Sequence, residues 1–98
     1  MLIVDCEKYV VNKNGIIVDV SKTELDILKL LSQTPGKVFS RSDIFKFIWP
    51  KDCNIKERTV DVHIVSIRKK LGKNIIKTIK GVGYKLNIDT VKIIERED

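Results

Sequence analysis

The sequence predicts an α+β domain in which a small antiparallel sheet precedes three helices and a β-hairpin follows them. Two observations predict this order. Short β-branched runs lie near both ends of the chain, whereas the middle carries apolar residues at helical spacing. With 98 residues, the chain is large enough to bury one modest core.

The first twenty residues contain three strand-like runs, Leu2–Asp5, Tyr9–Val11 and Ile16–Val20. The Asn-Lys-Asn-Gly segment at 12–15 separates the last two, and its Asn-Gly pair suits the positive φ angles of a tight turn. We predict an N-terminal antiparallel sheet of about three strands over residues 1–20.

Three helices are predicted over residues 21–72. The first begins at a capping box, Ser21–Glu24, and the second begins at Ser40 and ends at Pro50. The third spans about Lys56–Leu71 and is followed by a glycine, which suits the end of a helix.

A hairpin and a tail complete the chain. The runs Ile75–Ile79 and Tyr84–Leu86 flank a Lys-Gly-Val-Gly turn, which predicts a hairpin over residues 75–86. Three helices followed by a hairpin are the order of a winged helix-turn-helix, whose third helix meets DNA while the hairpin flanks it as a wing. We place this domain at residues 1–86 and predict a C-terminal tail at 87–98, to which we assign no role.

Positive charge is concentrated in the last third of the chain. The net charge is +6, and the segment Arg58–Lys85 alone has eight lysines and arginines against one acid, Asp61. This distribution fits a polyanionic partner, but a solvated lysine-rich face would look the same.

Composition also argues against other classes of function. Cys6 and Cys53 lie far apart and His63 is the single histidine, so we expect no metal site and no cofactor. These residues and scattered carboxylates make no catalytic constellation, so we expect no enzyme. We find neither a membrane-spanning run nor a secretion signal, and we therefore expect a cytoplasmic protein with reduced thiols.

The predicted third helix has two different faces on a helical wheel. An apolar stripe is assigned to the core and comprises Val60, Ile64, Ile67 and Leu71. The other face is basic and partly apolar and comprises Arg58, Val62, Val65 and Lys69, with Thr59 and Ser66 beside them. This face fits the major groove, where cations reach phosphates or guanine and valine methyls pack on thymine. The alternative is a docking patch for a protein.

Three segments carry a recognisable pattern: RTVDVHI at Arg58–Ile64, IRKKL at Ile67–Leu71 and IKGVGY at Ile79–Tyr84. With Thr23-Glu24 and Ile48-Trp49 upstream in collinear order, they resemble the OmpR/PhoB-type effector domain of two-component response regulators. The resemblance implies binding to promoter DNA as a tandem pair on direct repeats, together with a receiver domain in a longer protein. It also implies a contact between RNA polymerase and the loop at 50–56.

The resemblance further assigns roles to individual residues. Arg58 resembles a phosphate clamp, Arg68 a contact to base or backbone, and Lys80 the wing residue that enters the minor groove. The full predicted DNA-binding set is Ser40, Arg41, Trp49, Arg58, Thr59, Val62, His63, Val65, Ser66, Arg68, Lys69, Thr78 and Lys80.

The chain departs from the family's pattern in two ways. It has Val65 and Ser66 where well-known members carry arginines in mid-helix, which favours base reading through methyl contacts and DNA shape. The operator sequence is therefore left open. The predicted N-terminal sheet is also one strand short of the family's usual four.

Overall fold

The computed structural model describes residues 1–34, 36–49, 55–87 and 91–94. It confirms the predicted fold class, a winged helix-turn-helix with three helices, an N-terminal sheet and a C-terminal hairpin. In chain order the elements are β1 (Leu2–Asp5), β2 (Val10–Lys13), β3 (Ile16–Asp19), α1 (Lys22–Gln33), α2 (Arg41–Ile48), α3 (Thr59–Leu71), β4 (Ile76–Ile79), β5 (Gly83–Leu86) and β6 (Val91–Ile94).

Strand β6, which the sequence assigned to a tail, belongs to the main sheet. The sheet order is β3-β2-β1-β6; β1–β2 and β2–β3 are antiparallel, whereas β6 runs parallel to β1. Val91 and Ile93 pack against the core, and the Cys6 amide donates to the Ile94 carbonyl at 2.8 Å. The fourth strand that the N-terminal segment lacks is therefore supplied from the other end of the chain.

Helices α1 and α2 both begin at reciprocal caps. The Ser21 hydroxyl accepts from the Glu24 amide and the Glu24 carboxylate accepts from the Ser21 amide, at 3.2 and 2.8 Å. Ser40 and Asp43 make the same pair of bonds at the start of α2, at 3.0 and 3.3 Å. These bonds satisfy amides that a helix start leaves without intrahelical partners, which fixes where each helix begins.

Helix α3 buries the stripe that the helical wheel assigned to the core. Val60, Ile64 and Ile67 are fully buried and Leu71 nearly so. The α-helix starts at Thr59, later than the predicted Lys56, because a turn with Thr59 N–Lys56 O and Val60 N–Glu57 O bonds precedes it. Burial of this stripe leaves the opposite side of α3 facing solvent.

The hairpin β4–β5 is joined to the start of α2 by backbone pairing. Phe39 and Tyr84 exchange two backbone hydrogen bonds, at 2.8 and 2.9 Å. A β-carbon at Gly83 would overlap the Phe39 carbonyl, so this close approach requires glycine there. The wing is thereby held against the helical core.

Candidate nucleic-acid interface

The solvent-facing side of α3 carries aliphatic residues between cations. Val62 is 65% exposed and Val65 is 49% exposed. Arg58 lies before them and Lys69 after them, both exposed. Within the part of the chain that the structure describes, neither cation has a hydrogen-bond or ion-pair partner. This face is therefore positively charged at both ends and apolar in the middle.

Ser66 is turned away from that face, toward α1. Its hydroxyl donates to the Glu24 carboxylate at 2.5 Å, and the Lys70 ammonium donates to the same carboxylate at 2.7 Å. The Ser66 hydroxyl is therefore engaged within the protein, and its place in the groove stays a prediction. The physical reason for this engagement is the carboxylate itself, which is buried and needs donors to offset its lost hydration.

Glu24 is the one buried charged residue among the described residues, with 2% of its surface exposed. Burial alone would raise its pKa, but hydrogen bonds from Lys70, the Ser21 amide and Ser66 outweigh burial and lower the pKa from 4.5 to about 2. The ionised carboxylate therefore joins the cap of α1 to the side of α3. Sequence reasoning identified Glu24 only as a capping residue.

Arg68 is hydrogen-bonded to strand β4 of the wing. Its Nε and Nη2 donate to the Ile76 carbonyl at 3.2 and 2.8 Å, and Nη2 also donates to the Thr78 hydroxyl at 2.7 Å. The guanidinium carbon lies 5.8 Å from the centroid of the Tyr84 ring. These contacts engage the guanidinium within the protein, and the contact of Arg68 with base or backbone stays a prediction. Thr78 keeps its own hydroxyl proton for donation.

Asp61 links α3 to α2 and to the wing. Arg41 pairs with it through Nε–Oδ1 and Nη2–Oδ2 contacts of 3.2 and 2.9 Å, and the Tyr84 hydroxyl donates to Oδ1. Burial, followed by this hydrogen bond, raises the pKa of Tyr84. Asp61 is the one acid of the basic segment Arg58–Lys85. Its isolation was a signal for a structural role, but its contacts with Arg41 and Tyr84 were not predicted from the sequence.

The remaining predicted residues lie near α2, at the start of α3 and in the wing. At the end of α2, Trp49 and, on α3, His63 are half-buried, with ring centroids 5.8 Å apart. At the start of α2, Ser40 and Arg41 line a cleft of about 350 Å³ together with Thr78 and the wing turn. Thr59 is half-buried at the start of α3, and Lys80 is exposed in the wing turn.

The predicted residues differ in whether neighbours in the protein hold their side chains. One group is exposed on α3 and the wing: Arg58, Val62, Val65, Lys69, Thr78 and Lys80, of which Thr78 accepts a hydrogen bond from Arg68. The side chains of Arg41, Ser66 and Arg68 are engaged by neighbours in the protein. The described ranges contain no group of three or more His, Cys, Asp or Glu placed to hold a metal, and no helix in them is long and apolar enough to cross a membrane.

Comparisons with known proteins agree with this arrangement. Residues 14–86 match the family model described as "Transcriptional regulatory protein, C terminal". The chain is 38% identical over 86 residues to the phosphate regulon transcriptional regulatory protein PhoB of Rhizobium meliloti, covering 84% of this chain and 38% of that protein. It is 33% identical over 98 residues to the transcriptional regulatory protein BaeR of Escherichia coli, covering 95% of this chain and 41% of that protein.

Solved structures share the fold. The DNA-binding domain of the response regulator AdeR, crystallised with an intercistronic region, superposes with a TM-score of 0.76 at 29% identity, covering 88% of this chain and 93% of that one. The DNA-binding domain of Bacillus subtilis CssR superposes with a TM-score of 0.76 at 30% identity, covering 88% and 99%. The chain spans about two fifths of the length of the two regulators above. It belongs to the family of C-terminal, OmpR/PhoB-type effector domains of transcriptional regulatory proteins.

Proposed function

We propose that this chain binds duplex DNA sequence-specifically, as the effector domain of a bacterial response-regulator transcription factor. The observation that carries the proposal is the solvent face of α3, where unpaired cations bracket exposed valines. Adjacent exposed valines are unusual on a helix face that meets only water, and unpaired cations are rarely buried in a protein interior. The similar AdeR domain was crystallised in complex with an intercistronic region, which supports DNA as the partner.

In this proposal α3 lies in the major groove and the wing lies at the minor groove. Arg58 and Lys69 are eleven residues apart, so the face extends about 16 Å along the helix, or roughly five base pairs. Both cations contact phosphates at its ends, and Thr78 donates to the backbone from the cleft beside the wing. Lys80 inserts from the wing turn into the minor groove, whose negative potential attracts cations.

The same proposal extends to the longer protein. We propose a receiver domain elsewhere in the chain of which this domain is part, a tandem pair on direct repeats, and action in the cytoplasm, where bacterial DNA lies. The proposed contact with RNA polymerase involves the loop at 50–56, of which residues 50–54 lie outside the described residues.

The test is equilibrium binding to a labelled duplex over a series of salt concentrations. Arg58→Ala should weaken binding to every sequence and reduce the log–log salt slope by about 0.9, since one phosphate contact is lost. Lys8→Ala is the matched control, because Lys8 lines a cleft on the outer side of the sheet, formed with Ile3, Ile17 and Ile94. Absence of duplex binding by the wild type at low salt would contradict the proposal.

A second candidate function is a protein-interaction module with Val62 and Val65 as the docking patch, which their exposure favours. The two candidates differ in salt dependence. A protein docking site centred on valines should lose little affinity with added salt, whereas phosphate contacts make duplex binding fall steeply.

A further inference from the structure

We propose that Val62 and Val65 read thymine through its 5-methyl group, so that the middle of the target site is recognised by methyl contact and not by hydrogen bonds. The inference rests on the proposed function, because it concerns the face of α3 set against the major groove. It goes further by assigning the base that this face selects and the atoms that select it.

Most of the polar side chains of α3 are not available to a base edge. Four of them are held by neighbours within the protein: Asp61 by Arg41 and Tyr84, Ser66 and Lys70 by Glu24, and Arg68 by Ile76 and Thr78. Each of these contacts joins α3 to another element of the fold. Freeing any of them for a base edge would break a contact that holds α3 or the wing in place.

The two valines lie between the two free cations on the same face of α3. On a helix of 3.6 residues per turn, Val62 and Val65 lie about 60° apart, and Arg58 and Lys69 fall within that same sector. Each valine is about 6 Å along the axis from the nearer cation. If the cations hold the phosphates on either side, the valines are left against the base edges between them.

The major groove presents one apolar group that suits a valine. A valine side chain offers only methyl groups, and the thymine 5-methyl is the apolar group that base pairs present in the major groove. Beside Val65, a shallow cleft of about 390 Å³ is lined by Arg68, Lys69, Gly72 and Lys73, so the apolar surface continues toward a basic edge. Removing one methyl contact should weaken binding about fourfold, the equivalent of one buried carbon.

A consequence follows for methylated cytosine. Cytosine and thymine differ in the 5-methyl and in the group at position 4, and valine can sense only the methyl. A 5-methylcytosine·guanine pair should therefore replace a contacted thymine·adenine pair better than an unmethylated cytosine·guanine pair does.

The experiment uses duplexes that the wild-type chain recovers from a random pool. Each thymine is replaced singly by uracil, which keeps base pairing and removes only the methyl. We expect about fourfold weaker binding at one or two positions in each half-site, with partial restoration when cytosine at such a position is replaced by 5-methylcytosine. Val65→Ala or Val62→Ala should abolish the uracil effect at the matching position. Both residues are exposed, so folding should be unaffected.

Val82→Ala is the matched control, because Val82 is an exposed valine in the wing turn; this variant should keep the full uracil effect. Equal affinity for thymine and uracil at every position, in a chain that still selects a motif, would overturn the inference and leave the proposed function standing. Unchanged uracil discrimination in both helix variants would do the same. If the wild type recovers no motif from the pool, the proposed function fails and the inference fails with it.

Discussion

Replacement of Glu24 by glutamine removes a buried charge while keeping the side chain's volume. The wild-type carboxylate accepts hydrogen bonds from Ser21, Ser66 and Lys70, which lower its pKa from 4.5 to about 2. At about 1.4 kcal/mol per pKa unit, the ionised carboxylate contributes about 3 kcal/mol to the free energy of unfolding at neutral pH.

At pH 7 the free energy of unfolding of the glutamine variant should be lower than that of the wild type by about 3 kcal/mol. Breaking a buried pair costs about 3–5 kcal/mol in general. Lys70 is 39% exposed and can regain water when the carboxylate is lost, which places the expected loss at the lower end. For a domain of this size, a loss of about 3 kcal/mol lowers the midpoint of thermal unfolding by roughly 10–20 °C.

The effect of pH distinguishes the lost charge from lost packing. Because the folded-state pKa lies below the unfolded one, the contribution is fully present above pH 4.5 and is lost as pH falls toward 2. Near pH 2.5 the wild type and Glu24→Gln should therefore differ by only about 1 kcal/mol. Urea unfolding followed by circular dichroism at both pH values measures the two differences.

Asp26→Asn is the matched control. Asp26 lies on the same helix and pairs with Lys22 at 2.8 Å, but Lys22 is largely exposed, so the expected loss is below about 0.5 kcal/mol. The charge does not stabilise the fold if Glu24→Gln lowers the free energy of unfolding at pH 7 no more than Asp26→Asn does. The same conclusion follows if the loss caused by Glu24→Gln is equal at pH 7 and pH 2.5.

Three further substitutions test other contacts. Gly83→Ala should unfold the wing or destabilise the domain by about 2 kcal/mol or more, since the new methyl overlaps the Phe39 carbonyl; a thermal melt within a degree of wild type would contradict this. Arg68→Lys should lose the paired Nε and Nη2 hydrogen bonds to the Ile76 carbonyl and speed amide hydrogen exchange in the hairpin. Unchanged exchange there would show that these hydrogen bonds do not stabilise the wing. Ile67→Ala should cost about 2–5 kcal/mol in urea unfolding, because Ile67 is fully buried, and a loss under 1 kcal/mol would mean that the core stripe is misassigned.

Local patterns were sufficient to predict most of the fold. The capping box at Ser21–Glu24, the apolar stripe of α3 and the glycine-containing hairpin each depend on residues a few positions apart, and each appears in the structure as predicted. Helical periodicity also identified Val62 and Val65 as solvent-facing, because burial of one face determines exposure of the other.

The contacts that were not predicted from the sequence join different elements of the fold. Strand β6 pairs in parallel with β1 from the opposite end of the chain, and no turn signal links the two. The helical wheel placed Ser66 beside the groove-facing residues, and the family resemblance gave Arg68 its predicted contact to base or backbone. Neither shows which partner within the protein a side chain meets. Glu24 meets Ser66 and Lys70 across 42 and 46 residues, and the capping box already accounted for its presence.

We propose above that the solvent face of α3 and the wing contact duplex DNA. Amide shift mapping by NMR, with a duplex selected from a random pool titrated into labelled protein, tests it most directly. We predict shifts concentrated at Arg58, Val62, Val65 and Lys69 on α3 and at Lys80 in the wing, with the outer sheet residues Ile3 and Ile17 unchanged. Shifts confined to the sheet, with α3 unperturbed at saturating duplex, would contradict the account.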